Sequence, residues 1–169
     1  MNNRENLASF AHGGVRISAL VPETWAVTEA AANHLRFIAP PHPAHQEHPS
    51  TFSIRLGEPE GFSPEDFQDF CDTSQANLKE KLPGFELRTV DRFTLSSFVE
   101  VHAIWYNSMA ESGLAFAQMQ ALGLLDRYNM YLINAATLKN EIEFFVHVLY
   151  NGLIHSIPQY FCLCERSSE

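Results

Sequence analysis

The chain has 169 residues, of which 46% are hydrophobic and 12% aromatic. This composition predicts one globular domain with a single core and excludes general disorder. The formal net charge is −9 and there is no basic stripe, so nucleic acid is not an expected partner. No apolar run is long enough to insert into a bilayer, and the polar N-terminus does not resemble a signal peptide, so a cytoplasmic location is expected.

Residues 1–13 are mostly polar and are expected to form a flexible N-terminal arm. Alternating patterns then predict strands over 15–21, 25–27, 33–38 and 51–56. In the third of these runs, Leu35 and Phe37 share one face, while His34 and Arg36 share the other. The prolines between 40 and 49 exclude regular structure there.

A helix is predicted over 63–82. Ser63 is a favourable N-cap residue, Pro64 suits the first helical position, and Asp66 suits the positive end of the helix dipole. Phe67 and Cys71 lie on its apolar stripe, where a buried thiol is expected for Cys71. The Pro-Gly pair at 83–84 ends the helix.

Four further strands are predicted near 85–93, 97–106, 115–125 and 128–137, followed by a second helix over 139–154. This order predicts an α+β fold in which two main helices pack on one face of an antiparallel sheet. The single domain is expected to span residues 14–158, with a C-terminal tail over 159–169. Cys162 and Cys164 in that tail form only a weak metal or redox signal.

Several local signatures together resemble a known family. They are Val21-Pro22-Glu23-Thr24-Trp25, the helix start over Ser63–Phe67, the strand Tyr131–Thr137 and the ending Leu153–Ile157. Their order is similar to that of the Mog1/PsbP-like fold and, within it, the bacterial family of unknown function 1795. The resemblance covers roughly residues 14–158. It implies a curved antiparallel sheet with helices on its convex side.

The resemblance also implies a function. Members of this fold bind a small GTPase or a membrane complex, and cytosolic bacterial members act as chaperones for type VI secretion effectors by cradling apolar helices on the open sheet face. A non-catalytic adaptor or chaperone-like module that binds another protein is therefore expected, as a monomer or a homodimer. This chain differs in its longer Pro/His loop and its Cys-containing tail.

A sheet face turned away from the helices is the candidate binding surface. If the branched and small residues of two central strands pack inward, a mixed aromatic and polar set points outward, which suits protein recognition. That set is Glu100, His102, Ile104, Tyr106, Phe116, Gln118 and Gln120. The alternatives are that these are ordinary half-solvated strand positions or that the two faces are reversed.

The Pro/His loop over 40–49 is a second candidate. His42, His45 and His48 could supply nitrogen ligands to zinc, which makes a metal- or small-ligand-binding protein the alternative function. The prolines do not favour a geometry that brings the three imidazoles together, so a solvated loop is the simpler interpretation.

No motif assembles a catalytic set. The chain has no nucleophile elbow, phosphate-binding loop or His-Glu-x-x-His helix. Glu65 and Asp66 are explained by capping and by the helix dipole. The chain is therefore expected not to be an enzyme and to need no cofactor, although residues distant in sequence could still assemble a catalytic site.

Overall fold

A computed structural model describes residues 7–41, 47–94 and 100–141. The strands are β1 Leu7–His12, β2 Ile17–Pro22, β3 Ala26–Ala31, β4 His34–Ile38, β5 Thr51–Gly57, β6 Glu86–Phe93, β7 Glu100–Met109, β8 Ala115–Asp126 and β9 Asn129–Leu138. Helix α1 spans Pro64–Lys81, and a 3₁₀ turn spans Lys139–Glu141. The strands predicted from the sequence agree with β2 to β9 to within a few residues, except that β3 extends to Ala31.

Strands β3 to β9 of the described chain form one antiparallel sheet of seven strands in the order β3-β4-β5-β9-β8-β7-β6. Strand β9 pairs with β5 and β8, and thereby joins the N-terminal strands to the β6–β8 meander. In this sheet β3 and β6 are the edge strands. Both present largely exposed side chains.

Strands β1 and β2 form a separate antiparallel ribbon. The ring of Phe10 on β1 stands edge-on to Phe37 on β4 at 5.5 Å between centroids. The hydroxyl of Tyr131 on β9 donates to the carbonyls of Val15 and Arg16 at 2.7 and 2.8 Å. Residues 7–12 were predicted to belong to a flexible polar arm. They instead form β1, and Phe10 packs against Phe37 of the sheet.

The main core lies on the face of the sheet that carries this ribbon, which we call the core face. It contains Phe37, Phe52 and Tyr131, none of which is exposed. Burying one such aromatic side chain contributes roughly 1.5–3 kcal/mol. Five of the alternating residues of the two central strands that were expected to pack inward belong to this cluster, namely Val101, Ala103, Trp105, Met119 and Ala121.

Helix α1 packs on the opposite face, which we call the helix-side face. Phe67 and Cys71 on α1 form a second cluster with Leu122, Leu124 and Met130 of β8 and β9. The two clusters lie on opposite sides of the same strands, because successive side chains of a strand point to opposite faces. The core face of β8 is therefore largely buried, while its helix-side face is buried at Leu122 and Leu124 and half-buried at Phe116, Gln118 and Gln120.

The start of α1 is as predicted. The Ser63 hydroxyl accepts a hydrogen bond from the Asp66 N–H at 3.1 Å, and the Asp66 carboxylate accepts one from the Ser63 N–H at 2.8 Å. These reciprocal bonds form a capping box. At the other end, Gly84 adopts φ +63°, where a Cβ would lie 3.0 Å from the Cβ of Met109. Glycine is therefore required on both conformational and steric grounds.

The expectation of two main helices is not supported. In the part of the chain that the structure describes, α1 is the one α-helix, and the second predicted helix is represented only by the 3₁₀ turn at its start. Residues 142–154 of that prediction, together with the predicted tail, lie outside the described residues. None of the described helices is long and apolar enough to cross a membrane.

Candidate functional site

The strand register shows which side chains lie on the helix-side face. Directly opposed residues of antiparallel strands project to the same side. His102 of β7 is opposite Leu122, and Ile104 is opposite Gln120. Because Leu122 contacts the α1 cluster, these β7 side chains also face α1.

The predicted recognition set lies on this covered face. All seven members, Glu100, His102, Ile104, Tyr106, Phe116, Gln118 and Gln120, project to the helix side. Ile104 is fully buried, and His102 and Tyr106 are 1% and 4% exposed. The prediction that the set turns away from the helices is wrong, because α1 packs against the face that was expected to be open. A binding role for the half-buried members Glu100, Phe116, Gln118 and Gln120 stays a prediction.

Two glutamines of this set form internal hydrogen bonds. Gln118 accepts from the Tyr106 hydroxyl at 3.0 Å and donates to the Ser108 hydroxyl at 2.6 Å. Gln120 accepts from the Ser74 hydroxyl of α1 at 2.7 Å. These bonds satisfy polar groups that α1 partly removes from water. Their geometry explains how amides are accommodated beneath a helix.

A groove opens where the second half of α1 faces the edge strand β6. Its volume is about 520 Å³, and its lining residues are Asp72, Gln75, Ala76, Lys79, Phe85 and Leu87. The Phe85 ring stacks on Tyr106, with centroids 5.3 Å apart and an interplanar angle of 29°. Leu87 is 43% exposed. The groove is thus lined by apolar side chains before and on β6 and by mostly polar side chains of α1.

The wall of the groove is fixed in place by polar contacts between α1 and β6. The Arg92 guanidinium donates to Asp72 at 3.1 Å and to Gln68 at 2.8 Å. Gln68 also donates to Asp72 at 3.0 Å. Exposed pairs of this kind contribute little to stability, but together they hold α1 at a defined distance from the edge strand.

Beneath α1, two ionisable side chains are kept neutral. Burial lowers the pKa of His102, and nearby Arg92 lowers it further. Neither ring nitrogen of His102 has a hydrogen-bond partner among the residues that the structure describes. Burial also raises the pKa of the Cys71 thiol to about 12. A protonated thiol is a poor nucleophile, so Cys71 suits structural packing in this cluster.

The Pro/His loop is only partly described. His42 and His45 lie outside the described residues, while the ring of His48 stands edge-on to Phe116 at 5.5 Å. Within ranges 7–41, 47–94 and 100–141, no group of three or more metal-ligating side chains could hold an ion. The metal site stays a prediction. The contact joins His48 of the predicted metal site to Phe116 of the predicted recognition set.

The groove was not predicted from the sequence. Phe85 and Leu87 were assigned to a strand, and the α1 residues that line the groove were not singled out. The one available signal was Leu87 beside charged neighbours on β6, but a single exposed leucine is common on protein surfaces. Only the packing angle of α1 brings the two elements together.

Comparisons with known proteins bear on the fold. No family model matches the chain, and no curated protein matches its sequence. Among solved structures, it resembles LpqN of Mycobacterium tuberculosis, described as involved in cell envelope biogenesis, with a TM-score of 0.62 at 18% identity over 94% of this chain and 90% of that one.

Two further structures show the same arrangement. The PsbP protein of the cyanobacterium Synechocystis sp. PCC 6803 gives a TM-score of 0.59 at 10% identity, over 87% of this chain and 89% of that one. The Ran-binding protein Mog1p of Saccharomyces cerevisiae gives 0.52 at 13% identity, over 85% and 84%. The chain therefore has a Mog1/PsbP-like fold. Identities this low establish the fold alone.

Proposed function

We propose that this chain is a non-catalytic protein-binding module whose partner docks in the groove between α1 and β6. The observation that carries the proposal is the 43% exposure of Leu87 within a 520 Å³ depression. Ligand-sized depressions span about 300–1,000 Å³, so the groove can accept several partner side chains.

The chemistry of the groove supports a protein partner. Phe85 and Leu87 offer apolar area, while Asp72, Gln75 and Lys79 of the same lining offer charges and an amide. Protein interfaces combine the same kinds of group, with a few apolar anchors at the centre and a polar rim that fixes orientation. Yeast Mog1p, which has the same fold, is described as Ran-binding.

The partner segment that we propose is an apolar helix. A helix laid between α1 and β6 would place its apolar face on Phe85 and Leu87 and leave its polar face near the polar side chains of α1. The resemblance to effector chaperones motivates the finer proposal that this helix belongs to a secreted effector and is held in the cytoplasm. The same proposal includes membership of the bacterial family of unknown function 1795.

Site-specific photo-crosslinking tests the docking site. A benzophenone amino acid replaces Leu87 in one variant and Val27 in the control, both in cells of the native host. Val27 is a matched position, because it is also an exposed apolar residue, 37% exposed, on the other edge strand. We expect a discrete crosslinked protein from position 87 that position 27 does not give.

A substitution completes the test. Leu87→Glu should abolish capture of the crosslinked protein by the purified chain, while Val27→Glu should leave capture unchanged. Both variants should keep the melting temperature of the parent, because both positions are exposed. Identical adducts from the two positions, or full capture by Leu87→Glu, would show that the partner does not use the groove.

A further inference from the structure

The half of the helix-side face farthest from β6 carries a concentration of positive charge. Arg36 on β4 is opposite Ser53 on β5, and His34 is opposite Arg55. The four side chains therefore project to the same side of neighbouring strands. Arg36 and Arg55 are exposed, while His34 and Ser53 are half-buried. We call these four residues the cationic strip.

The strip lies on the same face as α1, and Arg55 is opposite Leu132, which packs against the α1 cluster. Ser53 is opposite Asn134 on β9, and Asn134 is opposite Gln120 on β8. The Gln120 side chain is hydrogen-bonded to Ser74 of α1. Gln120, Asn134 and Ser53 therefore form a row that runs from α1 across β9 to the strip. The strip and the proposed groove thus occupy opposite halves of one face.

The charges of the strip are not neutralised within the described residues. No carboxylate there forms an ion pair with Arg36 or Arg55. The pKa of His34 is lowered by burial and then by the positive charges of Arg36 and Arg55. The local field is thus positive, although the chain as a whole has a formal charge of −9 and only 11 Lys and Arg residues.

The strip is also rich in hydrogen-bond donors. A guanidinium offers donors in a planar fork that matches a carboxylate. Beside Arg36 and Arg55, the Asn134 amide uses its oxygen to accept from Gln120 at 3.3 Å, which leaves its nitrogen directed to other partners. The Ser53 hydroxyl adds a further possible donor. The surface as a whole offers donors to an anionic acceptor.

We propose that the cationic strip binds an acidic segment of a protein partner, with carboxylates paired to Arg36 and Arg55. A negatively charged chain that concentrates two arginines and donor groups on one patch creates local charge complementarity to Asp and Glu side chains. A nucleic acid is the less suitable occupant, because its extended phosphate backbone would be repelled by the rest of this acidic surface. This inference does not rest on the groove.

A peptide-binding assay with charge-matched variants tests the inference. The probes are a short fluorescein-labelled peptide in which Glu alternates with Ser, the same peptide with Gln in place of Glu, and a single-stranded oligonucleotide of similar length. The proteins are the full chain, the double variant Arg36→Gln/Arg55→Gln, and the control Arg88→Gln/Arg127→Gln. The control changes two other exposed arginines and gives the same net charge.

Fluorescence anisotropy should show that the parent and the control bind the Glu peptide with equal affinity, and that the Arg36→Gln/Arg55→Gln variant binds it at least about tenfold more weakly. The Gln peptide should not bind, and added salt should weaken binding of the Glu peptide. Thermal melting should show the same fold in all three proteins.

Results of three kinds would overturn the inference. The first is equal affinity of the two double variants for the Glu peptide, or no binding of that peptide by the parent. The second is tighter binding of the oligonucleotide than of the Glu peptide. The third is a parent dimer in sedimentation that Arg36→Gln/Arg55→Gln dissociates, because the strip would then be a self-association surface.

Discussion

The ring of His48 stands edge-on to Phe116, with ring centroids 5.5 Å apart and an interplanar angle of 79°. This contact ties the end of the Pro/His loop to strand β8. Aromatic pairs prefer such edge-to-face arrangements, which contribute about 0.5–1.5 kcal/mol beyond the area that they bury. His48 therefore has a packing role that does not depend on a metal ion.

The first prediction concerns zinc. Because the His48 ring packs against Phe116 and the prolines of the loop do not favour a geometry that brings the three imidazoles together, we expect calorimetric titration with Zn²⁺ to give no more heat for the parent chain than for His45→Ala/His48→Ala. The packing role predicts in addition that His48→Ala lowers the melting temperature. Saturable zinc binding that only the parent shows would establish the metal site.

The second prediction concerns Ile104. Because this side chain is fully buried on the helix-side face, Ile104→Asp should destabilise the fold by more than about 3 kcal/mol, since an unpaired charge would be buried. Leu87→Asp on the neighbouring strand is the control, with an expected change of about 0.5 kcal/mol, because Leu87 is exposed. Urea denaturation measures both. Equal stabilities would mean that α1 does not cover Ile104.

The third prediction concerns His102 and pH. The pKa of His102 is lower in the folded chain than in the unfolded chain. As pH falls through about 6.5, the unfolded chain therefore binds more protons than the folded chain. The folded state is progressively destabilised as a result. His102→Leu should therefore lose less stability than the parent between about pH 7 and pH 5. It should also stabilise the fold by about 1–3 kcal/mol at neutral pH, because it removes two ring nitrogens that have no hydrogen-bond partner among the described residues.

His102→Gln separates the two effects. Glutamine does not titrate but still brings polar atoms into the buried site, so this variant should lose the pH dependence of His102 without the gain in stability. His34, whose pKa is also lowered, contributes to the slope in every variant, and the informative quantity is therefore the difference from the parent. An unchanged slope in both variants would show that His102 is not the titrating group.

The fourth prediction concerns the Cys71 thiol. With a pKa raised to about 12, the thiol forms very little thiolate at pH 8. We expect the peptide that contains Cys71 to remain unmodified by iodoacetamide in the folded chain and to react fully in urea, as measured by mass spectrometry. Rapid alkylation of Cys71 without denaturant would indicate that α1 detaches from the sheet.

Much of the local structure could be predicted because it depends on neighbours in sequence. The capping box of Ser63 and Asp66 starts α1 where the residue types favour it. The alternating pattern that predicted a strand over 51–56 corresponds to β5, in which Phe52, Ile54 and Leu56 all lie in the core. Such features follow from side-chain periodicity and from hydrogen bonds within a few residues.

The site could not be predicted in the same way. The alternating residues of β7 include apolar members on both faces, Trp105 on one and Ile104 on the other, so periodicity could not tell which face α1 would cover. The groove of Phe85 and Leu87 exists only because α1 lies beside β6. The cationic strip exists only because β4 and β5 pair in the register that places His34 opposite Arg55.

The sequence by itself determined the elements, their order and the acidic charge, since each depends on local residue types or on simple sums. The tertiary structure alone decided which side of the sheet is covered, which edges stay open and where positive charge gathers. These properties depend on strand register and helix packing, which bring together residues far apart along the chain.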